Sequence, residues 1–348
     1  MRALTGARGI AAWLVVLYHL RRSIPGLPPA LEAVFARGYL AVDFFFLLSG
    51  FVIQLAWADR LRASGGTAAF WRKRVARVWP LHALMLAAAL ALATALRVTG
   101  RDASHYPLDQ LPLHLLLVQC WGFSDPLLWN DPAWSISAEW LAYLLFPLLP
   151  ALVDWRRWSN AALLAAAAAI LVALHLEMRG EPSLGADIGR FGAIRCLAEF
   201  AVGGIVCVLW QRAPHRAFAP AAIAAACFAA SLLGAAQTLA VPAAFAASLW
   251  FLAATAGRRG NPLDTPALHR LGEISYATYL SHFLLWNAFK FAVVEDAATP
   301  THIASYLVLV LVASVVLYDR FERPSQRWVE RLALPSVRER SRSPTHSQ

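Results

Sequence analysis

Charge is scarce in this sequence. Only 15% of its 348 residues are Asp, Glu, Lys or Arg, against about 25% in a typical soluble domain. Hydrophobic residues make up 59%, and mean hydropathy is +0.52. That balance excludes the pair of soluble domains that length alone would suggest. Cysteine is scarce too. Cys120, Cys196, Cys207 and Cys227 lie apart in apolar sequence with no CxxC pair, which argues against a disulfide framework or a thiolate metal centre. No strand alternation, internal repeat or clustered His/Cys/Asp ligand set is present, so neither a β-fold nor a metal site is expected. No small-residue cleavage site follows the first apolar run, "GIAAWLVVLYHL", and it is read as a retained helix rather than a signal. The formal charge of +10 does not imply a nucleic-acid partner, because membrane proteins collect basic residues in their cytoplasmic loops.

What remains is an all-α, polytopic transmembrane bundle. A helix needs about 20 mostly apolar residues to cross a bilayer. Ten stretches qualify by eye: 9–27, 38–57, 79–97, 133–152, 160–177, 191–210, 218–237, 240–257, 272–290 and 302–319. The run "LPLHLLLVQCWGF" is too short to span and reads as re-entrant or interfacial. With the N-terminus cytoplasmic, 22 of the 31 Lys and Arg residues fall in cytoplasmic segments, so both termini are expected inside. Residues 1–328 form one membrane domain. Residues 329–348 form a basic tail, expected to be disordered and lipid-facing.

Within this oil-like sequence the ionisable groups stand out. Arg8 and His19 are eleven residues apart. At about 100° and 1.5 Å per residue they fall within about 20° of one helix face and about 16 Å apart along the axis. They cannot touch, but they can line one cavity at two depths. Ionisable groups inside spans usually face a bundle interior or a water-filled path. The alternative is that Arg8 is a positive-inside anchor and that His19, Arg21 and Arg22 mark the outer interface.

Five further blocks bear on that choice. They are "GYLAVDFFFLLSGFVI" (38–53), "FWRKRVARVWPLHAL" (70–84), "PAWSISAEWLAYLLFPLL" (132–149), "LGEISYATYLSHFLL" (271–285) and "DRFERPSQRW" (319–328). Together with "LTGARGIAAWLVVLYHL", they resemble, in order, the motifs of the membrane acyltransferase-3 family. Its members are integral-membrane O-acyltransferases, and their first helix carries an Arg-x10-His pair. The resemblance runs from about Leu4 to Trp328. Two positions depart from the pattern: Trp79 stands where Tyr is common before Pro80, and Trp140 stands where a second acidic residue often follows Glu139.

Family members move an acyl group from cytoplasmic acyl-CoA to a hydroxyl, commonly on a sugar. The resemblance therefore implies an O-acyltransferase, most often an acetyltransferase, that modifies a glycan or other exported saccharide. The setting would be a bacterial-type cytoplasmic membrane, with acyl-CoA as donor substrate and no permanently bound cofactor. Acylation of a glycosylated small molecule such as a macrolide, or a transporter with an Arg/His-lined path, are the other readings. The residue roles follow. Arg74 and Arg77, at i and i+3, share a face if their segment is helical and suit the anionic donor. Arg8 would hold or steer that donor. His19 is the candidate general base, since histidine titrates near neutrality; an acyl-histidine or a structural role are the alternatives. Glu139 is the second candidate catalytic group, to orient His19, to bind acceptor hydroxyls, or to pair with an arginine such as Arg195. Asp43, Ser135, Tyr276, Tyr279 and His282 are candidate substrate-binding residues, with an arginine partner for Asp43 and interfacial anchoring for the aromatic residues as alternatives. Trp129, Asn130, Asp131 and Trp134 suit carbohydrate recognition in an outer loop.

Overall fold

The computed structural model describes residues 1–64, 66–125, 127–294 and 297–332. The described residues form helices and connecting turns, with no strand among them. The first helices in chain order are α1 (Arg2–Leu20), α2 (Pro29–Ala36), α3 (Ala41–Ser64), α4 (Thr67–Val98) and α5 (Leu111–Leu116). They are followed by α6 (Ala133–Leu145), α7 (Leu148–Leu152), α8 (Asn160–Glu177), α9 (Ile188–Arg212) and α10 (Phe218–Leu232). The chain ends with α11 (Gln237–Thr255), α12 (Pro266–Glu273), α13 (Ser275–Val293), α14 (Pro300–Leu317) and α15 (Arg323–Arg331). Helix starts follow local chemistry. The Ser159 hydroxyl accepts from the Ala162 amide to cap α8, and Thr299 forms a capping box with His302 at α14.

Eight helical stretches among the described residues are long and apolar enough to cross a bilayer. The other two expected spans are helices as well. α10 has 15 residues, short of the roughly 20 needed, and Gly234, with φ +95°, ends that segment. α13 has the length, but Tyr276, Thr278, Tyr279, Ser281, His282, Asn287 and Lys290 dilute its apolar character. The short segment after Gln110 turns back against the bundle. Leu117 adopts φ 59°, and the Ser137 hydroxyl donates to its carbonyl at 2.8 Å. α15 continues helically past residue 328 to Arg331, and the rest of the expected tail, 333–348, lies outside the described residues.

α3 and α9 form the centre. Burial reaches 78% and 72% of their most apolar windows, against 17% for α8. Glycine makes their approach possible. A Cβ on Gly50 would stand 1.9 Å from the Phe200 carbonyl oxygen, and one on Gly203 1.9 Å from that of Leu47. Only residues without side chains fit on either side of this seam. The same device joins α1 to α12, where a Cβ on Gly272 would meet the Thr5 carbonyl at 1.8 Å. Across the α3–α9 seam the Arg195 Nε–H donates to Asp43 Oδ1 at 2.7 Å, with both residues essentially unexposed.

Candidate active site

Two cavities lie along α1. The first, about 170 Å3, is lined by Arg8, Arg74, Arg77, Glu139, Tyr143 and Tyr276 among others. The second, about 290 Å3, is lined by His19, Arg21, Arg22, Tyr39, Asp131, Trp134 and Arg195 among others. Val42 and Tyr279 border both. The start of α6 also divides between them, with Ser135 and Ile136 facing the first cavity and Pro132 and Trp134 the second. A thin partition therefore separates them. At its centre the Tyr279 and Ser135 hydroxyls are 2.7 Å apart. Ser135 also donates to the Pro132 carbonyl at 3.0 Å.

The basic segment before Pro80 is helical. It forms the first turns of α4, so Arg74 and Arg77 do share a face, and both open to the first cavity. Arg77 is paired with Glu322, which is buried at the π-helical turn Tyr318–Glu322 between α14 and α15. Its guanidinium also lies 5.0 Å from the Tyr276 ring, whose hydroxyl donates to the Val78 carbonyl at 2.7 Å. Arg74 lies between the Phe70 and Tyr143 rings at 5.9 and 5.5 Å. Neither Arg8 nor Arg74 takes part in a direct ion pair among the described residues, so two guanidinium groups face this cavity without a carboxylate in contact. The single carboxylate that shares the lining, Glu139, accepts from Tyr143 Oη–H at 2.5 Å, and Tyr143 in turn accepts from the Ser49 hydroxyl at 3.0 Å. Arginine-rich linings of this kind suit phosphate and carboxylate ligands.

At the other end, His19 Nδ1 lies 3.0 Å from the Val15 carbonyl and 3.2 Å from His282 Nε2. Glu139 is not the group beside His19, because it opens to the other cavity. Nor does Glu139 pair with Arg195, which is occupied by Asp43. Asp43 itself has no exposed surface and lines neither cavity, so its carboxylate is spent on holding α3 to α9. The residues Tyr276, Tyr279 and His282 separate along α13 into first cavity, partition and His19 contact. Asp131 and Trp134 face the second cavity, with Asp131 2.9 Å from His105 Nε2. Trp129 and Asn130 do not. Trp129 is fully buried and donates to the Pro107 carbonyl, while Asn130 donates to the Leu280 carbonyl at 2.9 Å. Asn130 thus braces α13 and Trp129 the loop before α5, and neither hydrogen-bonding group is turned to the second cavity. Glu322 is the residue that sequence reading left without a role. Its signal was its place in the closing block "DRFERPSQRW", four residues beyond a long apolar run. No group of three or more His, Cys, Asp or Glu side chains is placed to hold a metal among the described residues.

The apolar helices define an integral-membrane protein, and its bundle holds two chambers in a row, one lined by three arginines and one bordered by His19. The family described as an acyltransferase domain, acyltransferase-3, matches residues 1–319. The chain belongs to this family and is an acyl-transferring enzyme. It is 31% identical to acyltransferase MdmB of Streptomyces mycarofaciens over 94% of this chain and 92% of that protein. It is also 28% identical to nodulation protein 10 of Rhizobium leguminosarum bv. viciae, over 71% of each, and 35% identical to protein 2 in the picA locus of Rhizobium radiobacter, over 39% of this chain and 75% of that one. No solved structure matches the chain.

Proposed function

We propose that this enzyme is an O-acyltransferase of the cytoplasmic membrane, with ten crossings and both termini inside. It moves an acyl group, most often acetyl, from cytoplasmic acyl-CoA to a hydroxyl of a glycan or other exported saccharide. The observation that carries this reading is the alignment of the two chambers across one thin partition. The basic chamber takes the donor. At about 170 Å3 it is smaller than the roughly 300–1,000 Å3 of a site for a whole ligand. It therefore receives the thioester arm, while Arg8, Arg74 and Arg77 face the phosphates. The acceptor occupies the second chamber.

His19 acts as general base. Its free nitrogen takes the acceptor's hydroxyl proton as the oxygen attacks the thioester carbonyl carbon. The tetrahedral intermediate then expels the CoA sulfur, which receives that proton from His19. The products are an ester and free CoA. The excess of Lys and Arg on the Arg8 side supports a cytoplasmic basic chamber.

The test is transfer of radiolabel from acetyl-CoA in isolated membranes, with wild type and His19→Ala at matched protein level. Label in saccharide that falls by about 100-fold or more in the variant supports the reading. Near-normal transfer by His19→Ala ends the catalytic assignment. Label only in a small extractable molecule redirects the acceptor, and no covalent transfer by wild type ends the reading.

A further inference from the structure

The two histidines constrain each other's hydrogens. His282 Nδ1 lies 2.7 Å from the Tyr279 carbonyl and 3.2 Å from the Thr278 carbonyl. Both are acceptors only, so this nitrogen carries a hydrogen. A second hydrogen on Nε2 would make an imidazolium with no exposed surface and no carboxylate paired to it among the described residues, and an unpaired buried ion is strongly disfavoured. His282 is therefore neutral and its Nε2 is an acceptor. The logic then passes to His19. Its Nδ1 faces two acceptors, the Val15 carbonyl at 3.0 Å and His282 Nε2 at 3.2 Å. The hydrogen sits on Nδ1, and the lone pair is left on Nε2.

We infer that His282 is a positioning residue, which together with the Val15 carbonyl holds His19 in the one neutral tautomer, and the ring orientation, whose Nε2 can accept a proton in the outer chamber. The inference rests on the reading of His19 as base. In Ser-His-Asp enzymes a carboxylate fixes the tautomer; here a backbone carbonyl and a neutral imidazole share that task, without burying a further charge. The contact also discriminates in the useful direction. Once His19 takes the acceptor's proton, the Nδ1–H···Nε2 bond becomes charge-assisted and stronger. An interaction that strengthens during reaction raises kcat instead of substrate affinity. The surroundings are built to keep His282 in place. Tyr306 Oη–H donates to its carbonyl at 2.7 Å, and Asn130 holds the neighbouring Leu280 carbonyl. Rings pack on His19 from both sides, with Tyr18 and Phe283 edge-on at 5.0 and 5.5 Å between centroids.

Two substitutions separate positioning from packing. The amide of His282→Asn reaches only as far as Nδ1, so it keeps a donor towards the Tyr279 carbonyl and loses His19. The amide of His282→Gln reaches the place of Nε2 and can still accept from His19. With purified protein in nanodiscs, His282→Asn should lower kcat by about 100-fold with acetyl-CoA KM unchanged. His282→Gln should recover most of that loss. Wild-type kcat in the Asn variant, or equal loss in both variants, overturns the inference.

A readout independent of turnover is the 15N spectrum of histidine-labelled protein, with the His19 signal assigned by its absence in His19→Ala. Wild type should show His19 protonated on Nδ1, and His282→Asn should shift that signal, because one of the two acceptors of the Nδ1 hydrogen is gone while the Val15 carbonyl remains. His19 protonated on Nε2 in wild type overturns the inference, also where both variants fail to fold. Failed acyl transfer by wild type with the Nδ1–H signature intact counts against the enzymatic reading, not against this hydrogen-bond assignment.

Discussion

Tyr279→Phe tests whether the donor's acyl arm crosses the partition. The substitution removes one buried hydroxyl and leaves the ring, which packs edge-on against Phe45 at 5.8 Å between centroids. Ser135 loses its 2.7 Å partner but keeps the Pro132 carbonyl at 3.0 Å, so no polar group is stranded. The cost to the closed partition is therefore that of one net hydrogen bond, about 1 kcal/mol. That corresponds to about a fivefold rise in the open population. An open partition without acceptor lets water meet the thioester. Acceptor-independent CoA release, followed by thiol titration, should rise about fivefold, while transfer with saturating acceptor stays within about twofold. Tyr279→Ala removes the ring and joins the chambers, and its uncoupled release should exceed that of the Phe variant. Unchanged release in both variants, with transfer intact, would refute a route through this point.

Arg8→Lys should raise the apparent KM for acetyl-CoA about tenfold with kcat nearly unchanged, because a point charge replaces a planar fork on a uniformly bound part of the donor; initial rates over a donor series check this. Arg195→Met leaves the Asp43 carboxylate buried beside Glu199 with no cation and should cost about 3–5 kcal/mol, while adding Asp43→Leu should recover a large part, as read from thermal unfolding in detergent.

The continuous apolar runs revealed the helices because the bilayer leaves a chain few other ways to satisfy its backbone. Arg74 and Arg77 were legible from their three-residue spacing, and Arg8 and His19 from an eleven-residue interval that returns to nearly the same face. Tyr276, Tyr279 and His282 are three candidate substrate-binding residues at three-residue intervals. Over six residues, however, a helix turns by about 120° net and rises about 9 Å, enough to carry His282 out of the first chamber and onto His19. The partition was not legible at all. It joins Val42, Ser135 and Tyr279 from three helices, and no local spacing relates them. Trp129 read as an outer-loop aromatic, yet tertiary packing against Tyr106 leaves it fully buried. Glu322 was visible as part of a motif, but its pairing with Arg77 depends on a π-helical turn that composition does not encode.

The glycine contacts between α3 and α9 and between α1 and α12 set backbone atoms nearly against one another. Such seams leave no room for a side chain between the paired helices. A carrier that ships a whole solute must rock one half of its bundle against the other. Passing a two-carbon unit from one side to the other demands far less. In the proposed reading, the swing of the Tyr279 side chain would open the partition, on the fast timescale of rotamer changes instead of the slow one of domain rearrangements.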